Sequence, residues 1–386
     1  MTLWFSASAV IPQLNEEWNL SPAQRSWMTM SVQIGFVVGA LGSGFLNIAD
    51  RFPIRHVLVV STFWGAAFNL IIAFFSKSVE FTLFLRFLTG LALSGVYPPG
   101  MKLMATWCQK DRGLCIGVLV GSITIGSAFP HLLNAFPLFG EDGMPPWRIV
   151  LVSTSAQAVV GALITLFFVQ PGPLLPKSAP LNWRFAAEGL LYRPTRLANF
   201  GYLGHMWELY AMWSWTPLFL ILSYKDSGWS LQLARIAGFG VIAIGAVGSL
   251  LAGILADRIG RTTVTVWSLV VSGICAIISG FLFDFPLILT FVCLIWGFAV
   301  VADSAQFSTA ITELADQRYV GTALTIQTSL GFLLTLITIH LIPLLVESIG
   351  WKWSFSILAL GPIAGIWSIR ILRKLPEANK MASGHK

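Results

Sequence analysis

The sequence predicts an all-α membrane protein with twelve transmembrane helices, and three observations lead to that fold class. The 386 residues are 56% hydrophobic and only 11% charged, whereas soluble domains carry roughly 25% charged residues. Apolar segments recur along the whole chain at the length of a spanning helix, which needs about 20 apolar residues. An Asp-Arg pair also recurs half a chain apart, which indicates two parallel repeats of six helices.

Eleven apolar segments, numbered here as spans 2 to 12, are long enough or nearly long enough to cross a membrane. They lie at 26–49, 57–76, 78–105, 113–140, 149–176, 199–223, 236–256, 262–283, 285–302, 319–346 and 353–369. Span 1 is shorter, because residues 1–14 reach only about 21 Å across a core of roughly 30 Å. We expect either the outer part of a helix that is truncated at its N-terminal end or a short, tilted helix.

The loops on the two sides of the membrane differ in their content of Lys and Arg. The loops after even-numbered spans, together with the C-terminal tail, are called here the basic side, and they hold seventeen of the 24 basic residues. The positive-inside rule predicts that the basic side is cytoplasmic, with both termini there, in an inner (cytoplasmic) membrane. The predicted divisions are a first six-helix bundle at 1–169, a linker at 170–198, a second bundle at 199–375 and a tail at 376–386.

Acidic and basic residues follow spans 2 and 8 in a repeated pattern. In the second half this pattern consists of Gly253, Asp257, Arg258, Gly260 and Arg261. The first half keeps Asp50, Arg51 and Arg55 but has Leu46 and Pro53 where the second half has glycines. An aspartate at a helix end can pair with a basic group of the other half, and it can also simply cap the helix.

This pattern resembles the signature G-x-x-x-D-[RK]-x-G-[RK]-[RK], which follows helices 2 and 8 in the Major Facilitator Superfamily. The segment from Arg86 to Gly90 in span 4 is similar to the R-x-x-x-G pattern of the same family. The resemblance covers essentially the whole chain. It implies two six-helix bundles, alternating access to a central site, and a gating role for the signature residues.

Ionisable residues inside the spans are the candidate site, because charges within the bilayer are costly and usually functional. Five residues qualify: Arg86, His131, His205, Glu208 and Asp303. His205 and Glu208 share one face of span 7, and Glu208 is predicted to lie about 13 Å from the basic side, near the midplane. A carboxyl group there could bind and release a proton as its exposure changes. The alternative is a structural ion pair between helices.

Several neighbouring residues complete the predicted site. Trp207 and Tyr210 are expected beside Glu208, and Gln306 beside Asp303. Arg86 is expected either to neutralise a substrate anion or to pair with Glu208, and His131 to line the cavity. Uncharged polar residues within spans are expected to join helices by hydrogen bonds; these are Gln33, Asn69, Gln157 and Gln327.

The predicted function is secondary, proton-coupled transport of a small organic solute. Arg86 and the histidines favour an anionic or zwitterionic substrate. An efflux antiporter of drugs or metabolites is the alternative within transporters, and a transport-dead sensor or scaffold is the alternative outside them. No nucleotide-binding or H-E-x-x-H motif occurs in the sequence, so neither an enzyme nor a cofactor or metal is predicted.

The expected partners are a small-molecule substrate, protons and the lipid bilayer, and the chain is expected to work as a monomer without nucleic acid. Span 2 contains no arginine, which argues against the nitrate carriers of the family. The substrate, the direction of transport and the coupling stoichiometry stay open at this point.

Overall fold

The computed structural model describes residues 1–46, 48–107, 112–136, 145–173, 191–316 and 320–385. Within these ranges every regular element is a helix, which confirms the predicted all-α class. Ten of the described helices are long and apolar enough to cross a membrane. Helices α1 and α7, defined below, complete the set of twelve.

The first half consists of six helices, two of which are interrupted. They are α1 (Thr2–Phe5, a 3-10 turn Ser8–Val10, and Ile11–Trp18), α2 (Pro22–Leu46), α3 (Ile54–Phe75), α4 (Val79–Leu93 and Tyr97–Ala105), α5 (Arg112–Leu133) and α6 (Trp147–Phe168). The break in α4 falls just before Pro98 and Pro99. Proline has no N–H to continue a helix but is well tolerated in a first turn.

The second half repeats this plan. Its helices are α7 (Arg193–Asp226), α8 (Leu231–Ala243 and Gly245–Ile259), α9 (Arg261–Ser279), α10 (Pro286–Ala302 and Ser304–Leu314), α11 (Val320–Ile349) and α12 (Trp351–Ser354, Phe355–Ala359 and Leu360–Arg373). A 3-10 helix, Pro376–Gly384, forms the tail. Residues 174–190 of the predicted linker lie outside the described ranges.

The two halves pack against each other along two helix pairs, α5 with α8 and α2 with α11. Small residues allow the close approach of α5 and α8: a Cβ atom on Gly117 would lie 2.9 Å from the carbonyl oxygen of Ser249. The Ser249 hydroxyl donates a hydrogen bond of 3.1 Å to the Gly117 carbonyl. Gly117 therefore serves helix packing, as small residues do in membrane bundles.

Candidate functional site

Aromatic side chains from both halves fill the middle of the interface. We define the central cluster as Trp4, Phe5, Phe36, Tyr210, Trp213 and Phe332. The ring of Phe332 lies 5.0 Å from that of Trp4 and 4.8 Å from that of Phe36, between centroids. The cluster is closed to solvent, since its most exposed member is Tyr210 at 8%. It contains Tyr210, which was predicted as a site residue, whereas Trp4, Phe5, Phe36 and Phe332 were not predicted.

Three N–H donors in and beside the central cluster are buried and have no acceptor among the described residues. They are the indole Nε1 atoms of Trp4 and Trp213 and the amide Nε2 of Gln33. Gln33 lies one turn from Phe36, and its Oε1 accepts a hydrogen bond of 2.9 Å from Thr335 in the other half. Buried donors without acceptors are costly and uncommon. The cluster can therefore offer N–H groups to a ligand that brings acceptors.

Arg86 adjoins this cluster through the backbone of Trp4 and is fully buried. Its guanidinium donates to the carbonyl oxygens of Leu3 (2.7 Å), Met28 (3.1 Å) and Trp4. Arg86 thus donates to two carbonyl oxygens of the first segment of α1, which ends at Phe5. The expected pairing of Arg86 with Glu208 does not occur in this structure, since the guanidinium is engaged by neutral oxygens of α1 and α2.

Glu208 lies within the second half, between α7, α9 and α10, and is fully buried. Its Oε1 accepts a hydrogen bond of 2.6 Å from Trp296 Nε1, and its Oε2 accepts one of 3.0 Å from the Ser272 hydroxyl. Both partners are neutral. The sequence indicated neither of them, because a serine and a tryptophan within apolar spans are more often packing residues.

Ser272 gives Glu208 a partner in either protonation state. The Ser272 hydroxyl also lies 3.3 Å from the carbonyl oxygen of Leu269. It can donate to an ionised Glu208, or turn to Leu269 and accept a hydrogen bond from the carboxyl O–H of a neutral Glu208. Neither state leaves a carboxyl oxygen without a hydrogen-bond partner, which is the arrangement that a reversible proton site requires.

His205 faces Asp303 rather than Glu208. Its Nδ1 lies 2.8 Å from Asp303 Oδ1, with both side chains 1% exposed. This is the distance of an ion pair, although the approach does not have the geometry of a hydrogen bond. Asp303 stands at the break between the two segments of α10. The two predicted acidic groups therefore contact different partners: Trp296 and Ser272 for Glu208, and His205 for Asp303.

The signature of the second half forms a network on the basic side. Arg261 Nη2 lies 3.0 Å from Asp257 Oδ1, and its Nε lies 2.7 Å from Glu313 Oε2. Gly260 adopts a φ of +101°, a conformation that favours glycine and that separates α8 from α9. The signature thus holds the basic ends of α8, α9 and α10 together.

This network also reaches the first half. A Cβ atom on Gly113, near the start of α5, would lie 2.7 Å from both carboxylate oxygens of Asp257. Asp257 therefore rests against the N-terminal turn of α5, where the helix dipole favours a negative charge. Gly253 makes the same helix pair close, because its own Cβ would lie 2.6 Å from the Gly113 carbonyl oxygen.

Two further groups join this network. Gln306 accepts a hydrogen bond of 3.1 Å from Arg261 Nη1, so its side chain lies at the signature and not at Asp303. The tail reaches the same place, because the Ala382 N–H donates to Glu313 Oε2 at 3.3 Å. Glu313 and the tail contact were not predicted from the sequence.

The first copy of the signature is described only in part. Asp50 lies in the short helix Ile48–Arg51, and its side chain is outside the described atoms. Arg51 is exposed and Arg55 is half-buried. Arg258 in the second copy is also exposed.

The remaining predicted site residues occupy separate places. Trp207 donates a hydrogen bond of 3.1 Å to the Ile357 carbonyl oxygen in α12, so it packs within the second half. His131 lies in α5 and lines a cavity on the side opposite the basic side. No group of three potential metal ligands occurs in the described part of the chain.

Comparisons with known proteins agree with this architecture. The chain is 32% identical over 173 residues to the 4-hydroxybenzoate transporter PcaK of Pseudomonas aeruginosa, which covers 44% of the chain and 35% of that protein. It is 26% identical over 302 residues to the gallate transporter of Pseudomonas putida, covering 70% of the chain and 66% of that protein. The chain thus spans about a third of the first relative and about two thirds of the second.

A solved structure has the same fold. The proton:xylose symporter XylE, bound to 6-bromo-6-deoxy-D-glucose, matches with a TM-score of 0.72 at 15% identity, over 97% of this chain and 92% of that one. The model of the Major Facilitator Superfamily matches residues 1–231 and 202–385. With the repeated signature and twelve helices in the described residues, these findings show that the chain is a multi-pass membrane protein and a member of the Major Facilitator Superfamily.

Proposed function

We propose that the chain is a proton-coupled transporter of small organic carboxylates, with aromatic acids as the favoured substrates. It would work by alternating access in the inner membrane, with the basic side in the cytoplasm. The substrate would bind at the central cluster, and Glu208 would carry the coupling proton.

The observation that carries this proposal is the set of unpartnered donors in an aromatic surrounding. Gln33, Trp4 and Trp213 offer only N–H groups there, and a carboxylate or phenolic oxygen supplies the acceptors they lack. The rings around them suit a flat apolar body, because aromatic groups attract one another beyond simple burial. Arg86 adds a buried positive charge, and its four hydrogen-bond acceptors are neutral oxygens, so an anionic substrate would be stabilised.

The names of the relatives support the same class. Besides 4-hydroxybenzoate and gallate, they include a probable sulfoacetate transporter, SauU of Cupriavidus necator, at 25% identity over 66% of the chain. These substrates share an anionic group on a small organic body. Efflux of bulky apolar drugs is less compatible with a closed cluster whose polar groups are donors.

Glu208 is the proposed coupling group because its surroundings accommodate both of its protonation states. Trp296 and Ser272 hold the carboxylate, and Ser272 can reverse its hydrogen bond towards Leu269. Substrate that binds nearby at Tyr210, two residues further along α7, would alter the packing of this helix. Binding and proton exchange would then depend on each other.

The test is uptake of radiolabelled 4-hydroxybenzoate, benzoate and gallate by proteoliposomes that contain the full chain, with and without an inward pH gradient. We expect saturable uptake that the gradient stimulates. Gln33→Leu and Trp213→Phe should each raise the KM about tenfold, since one buried charge-assisted hydrogen bond contributes roughly 1.5–3 kcal/mol.

The matched control is Trp267→Phe, which changes an outward-facing tryptophan that is 66% exposed, and its KM should stay at the wild-type value. No uptake of any of these acids would refute the proposed substrate class. Uptake with an unchanged KM in both central variants would refute the proposed position of the site.

A further inference from the structure

A groove lies between α7 and α11 near the basic side of the membrane. We define the α7–α11 groove by the residues that line it, which are Arg196, Asn199, Phe200, Leu203, Gln327 and Leu330. The four residues of α7 follow one another at intervals of three or four positions or lie next to such a position, so they share one face of that helix. None of the six belongs to the central cluster or to the signature network, so the groove is a separate place on the protein.

The α7–α11 groove changes from charged to apolar along its length. Both helices begin on the basic side, and Arg196 precedes position 199, where the apolar part of span 7 begins. Arg196 therefore stands at the level of the lipid headgroups. Leu203 lies seven residues further along α7, which is about 10 Å deeper at 1.5 Å per residue. A phospholipid has the same order of parts, with a polar headgroup above an apolar chain.

The apolar end of the groove faces the hydrocarbon of the bilayer. Phe200 is 51% exposed and Leu330 is 37% exposed. Leu333 and Ile337, which are 43% and 56% exposed, continue from Leu330 at helical spacing along α11. An exposed apolar stripe of this kind marks a surface that contacts a membrane. The groove therefore opens towards the acyl chains of surrounding lipids.

The polar end of the groove offers positive charge and hydrogen-bond donors. The side chain of Arg196 is exposed, and it has no ion pair or hydrogen bond within the described ranges. Arg193, which is also exposed, adds a second positive charge one turn away. Gln327 Nε2 donates to Asn199 Oδ1 at 3.0 Å, so the Asn199 Nδ2 group can donate elsewhere. The described lining includes no aspartate or glutamate. A guanidinium beside an amide N–H suits a phosphate and its neighbouring ester oxygens.

We propose that the α7–α11 groove is a binding site for an anionic phospholipid, phosphatidylglycerol, from the leaflet on the basic side. Arg196 would bind the phosphate and Asn199 an ester carbonyl oxygen, while one acyl chain would lie along Phe200, Leu203 and Leu330. Phosphatidylglycerol is favoured over phosphatidylethanolamine because the ammonium group of the latter would add a further positive charge beside two arginines. The bound lipid would bridge α7 and α11 at their basic ends.

The test is native mass spectrometry of the full chain in detergent, after delipidation, with phosphatidylglycerol and phosphatidylethanolamine added at equal concentrations. The wild type should retain one phosphatidylglycerol at least about fivefold more tightly than phosphatidylethanolamine, since each arginine near the surface contributes about 1 kcal/mol. Arg196→Gln should weaken the binding of phosphatidylglycerol about tenfold, because a charge-assisted contact is lost. Leu330→Trp should weaken it as well, by filling the apolar end of the groove. Arg196→Lys keeps the charge and should bind more tightly than Arg196→Gln.

The matched control is Arg370→Gln, which removes an exposed arginine at the basic end of α12. Arg370 stands above Trp367 and Ile363, which are 65% and 58% exposed, but it does not line the groove. This variant should retain phosphatidylglycerol as the wild type does. Gel filtration and the melting temperature report whether each variant is folded.

The contrary results are equally specific. Equal retention of the two lipids by the wild type, or unchanged retention in folded Arg196→Gln, would overturn the proposal. Equal loss of binding in Arg370→Gln would also overturn it, because the lipid would then follow the basic surface in general. Displacement by glycerophosphoglycerol, which is the headgroup without acyl chains, would show that the groove takes a soluble phosphate instead of a lipid. None of these measurements involves a transport substrate, so failure of the proposed function would leave them unaffected.

Discussion

Glu208→Gln separates proton coupling from substrate movement, and the structure indicates that the variant can fold. The amide oxygen can keep the hydrogen bond from Trp296, which is 2.6 Å in the wild type. The amide NH₂ would take the place of Oε2 and donate to Ser272, whose hydroxyl would turn to the Leu269 carbonyl oxygen 3.3 Å away. The glutamine thus resembles a permanently protonated Glu208 with its hydrogen bonds satisfied.

The size of the effect follows from a single titratable group. One proton moved through a pH difference of one unit supplies about 1.4 kcal/mol, which is a tenfold concentration ratio. The wild type should therefore accumulate substrate about tenfold per pH unit when the membrane potential is held at zero. The variant should show no accumulation above equilibrium, because the proton no longer moves with the substrate. Its exchange of labelled for unlabelled substrate should stay near the wild-type rate.

Both quantities are measured in the same proteoliposomes, with potassium and valinomycin to hold the potential. Asp303→Asn is the matched control, because it also neutralises a buried acid on the facing helix and leaves Glu208 unchanged. Accumulation in Glu208→Gln that follows the pH gradient as in the wild type would refute the role of Glu208. If Asp303→Asn then abolished the accumulation driven by the pH gradient, Asp303 would be the coupling group.

Four other predictions test the contact of Asp257 with α5, the hydrogen bonds of Arg86, the contact of the tail and the membrane topology. Asp257→Asn and Gly113→Ala should each lower the transport rate about tenfold with substrate binding retained, since both disturb the contact between Asp257 and α5. The control Gly161→Ala, where an added Cβ meets nothing within 4 Å, should leave the transport rate unchanged. Loss of substrate binding in folded Asp257→Asn or Gly113→Ala protein would contradict the gating role. Arg86→Gln should lower the melting temperature by several degrees in detergent, because the buried carbonyl oxygens of Leu3 and Trp4 in α1 lose a charged donor. An unchanged melting temperature would contradict this. Truncation after Leu375 should lower the transport rate as Asp257→Asn does, since Glu313 loses the Ala382 N–H; full activity would show that the tail contact is dispensable. Reporter tags after Lys386 and within 137–146 should lie in opposite compartments, with the first in the cytoplasm, and a shared compartment would refute the twelve-helix topology.

The sequence predicts the helices well because the bilayer imposes a length and a polarity that single segments must satisfy alone. Prediction from the sequence is less accurate where tertiary contacts decide at which residue a helix begins or ends. Span 7 was predicted to start at 199, whereas α7 starts at Arg193. The polar residues before 199 weaken the hydropathy signal, but they still belong to the helix, and Thr195 among them is buried.

The charged part of the candidate site could be predicted for the same reason, since a buried Glu208 or His205 is conspicuous against an apolar background. Its neutral partners could not, because Trp296 and Ser272 are ordinary in membrane helices. The rings that α1, α2 and α11 contribute to the central cluster were missed, because the cluster is assembled from four helices, these three and α7. Their proximity depends on how the two halves meet, and no local pattern encodes that.

The helix α10 connects the proposed proton site to the signature network. Its first segment carries Trp296, which binds Glu208, and its second carries Gln306 and Glu313, which bind Arg261. The proposed protonation at Glu208 and the proposed opening at Asp257 would therefore act on one interrupted helix. If α10 transmits between them, the effects of Glu208→Gln and Asp257→Asn on exchange rate should be non-additive by at least 0.5 kcal/mol in a double-mutant cycle. Additive effects would mean that the two networks work independently, and that coupling passes through the substrate at the central cluster instead.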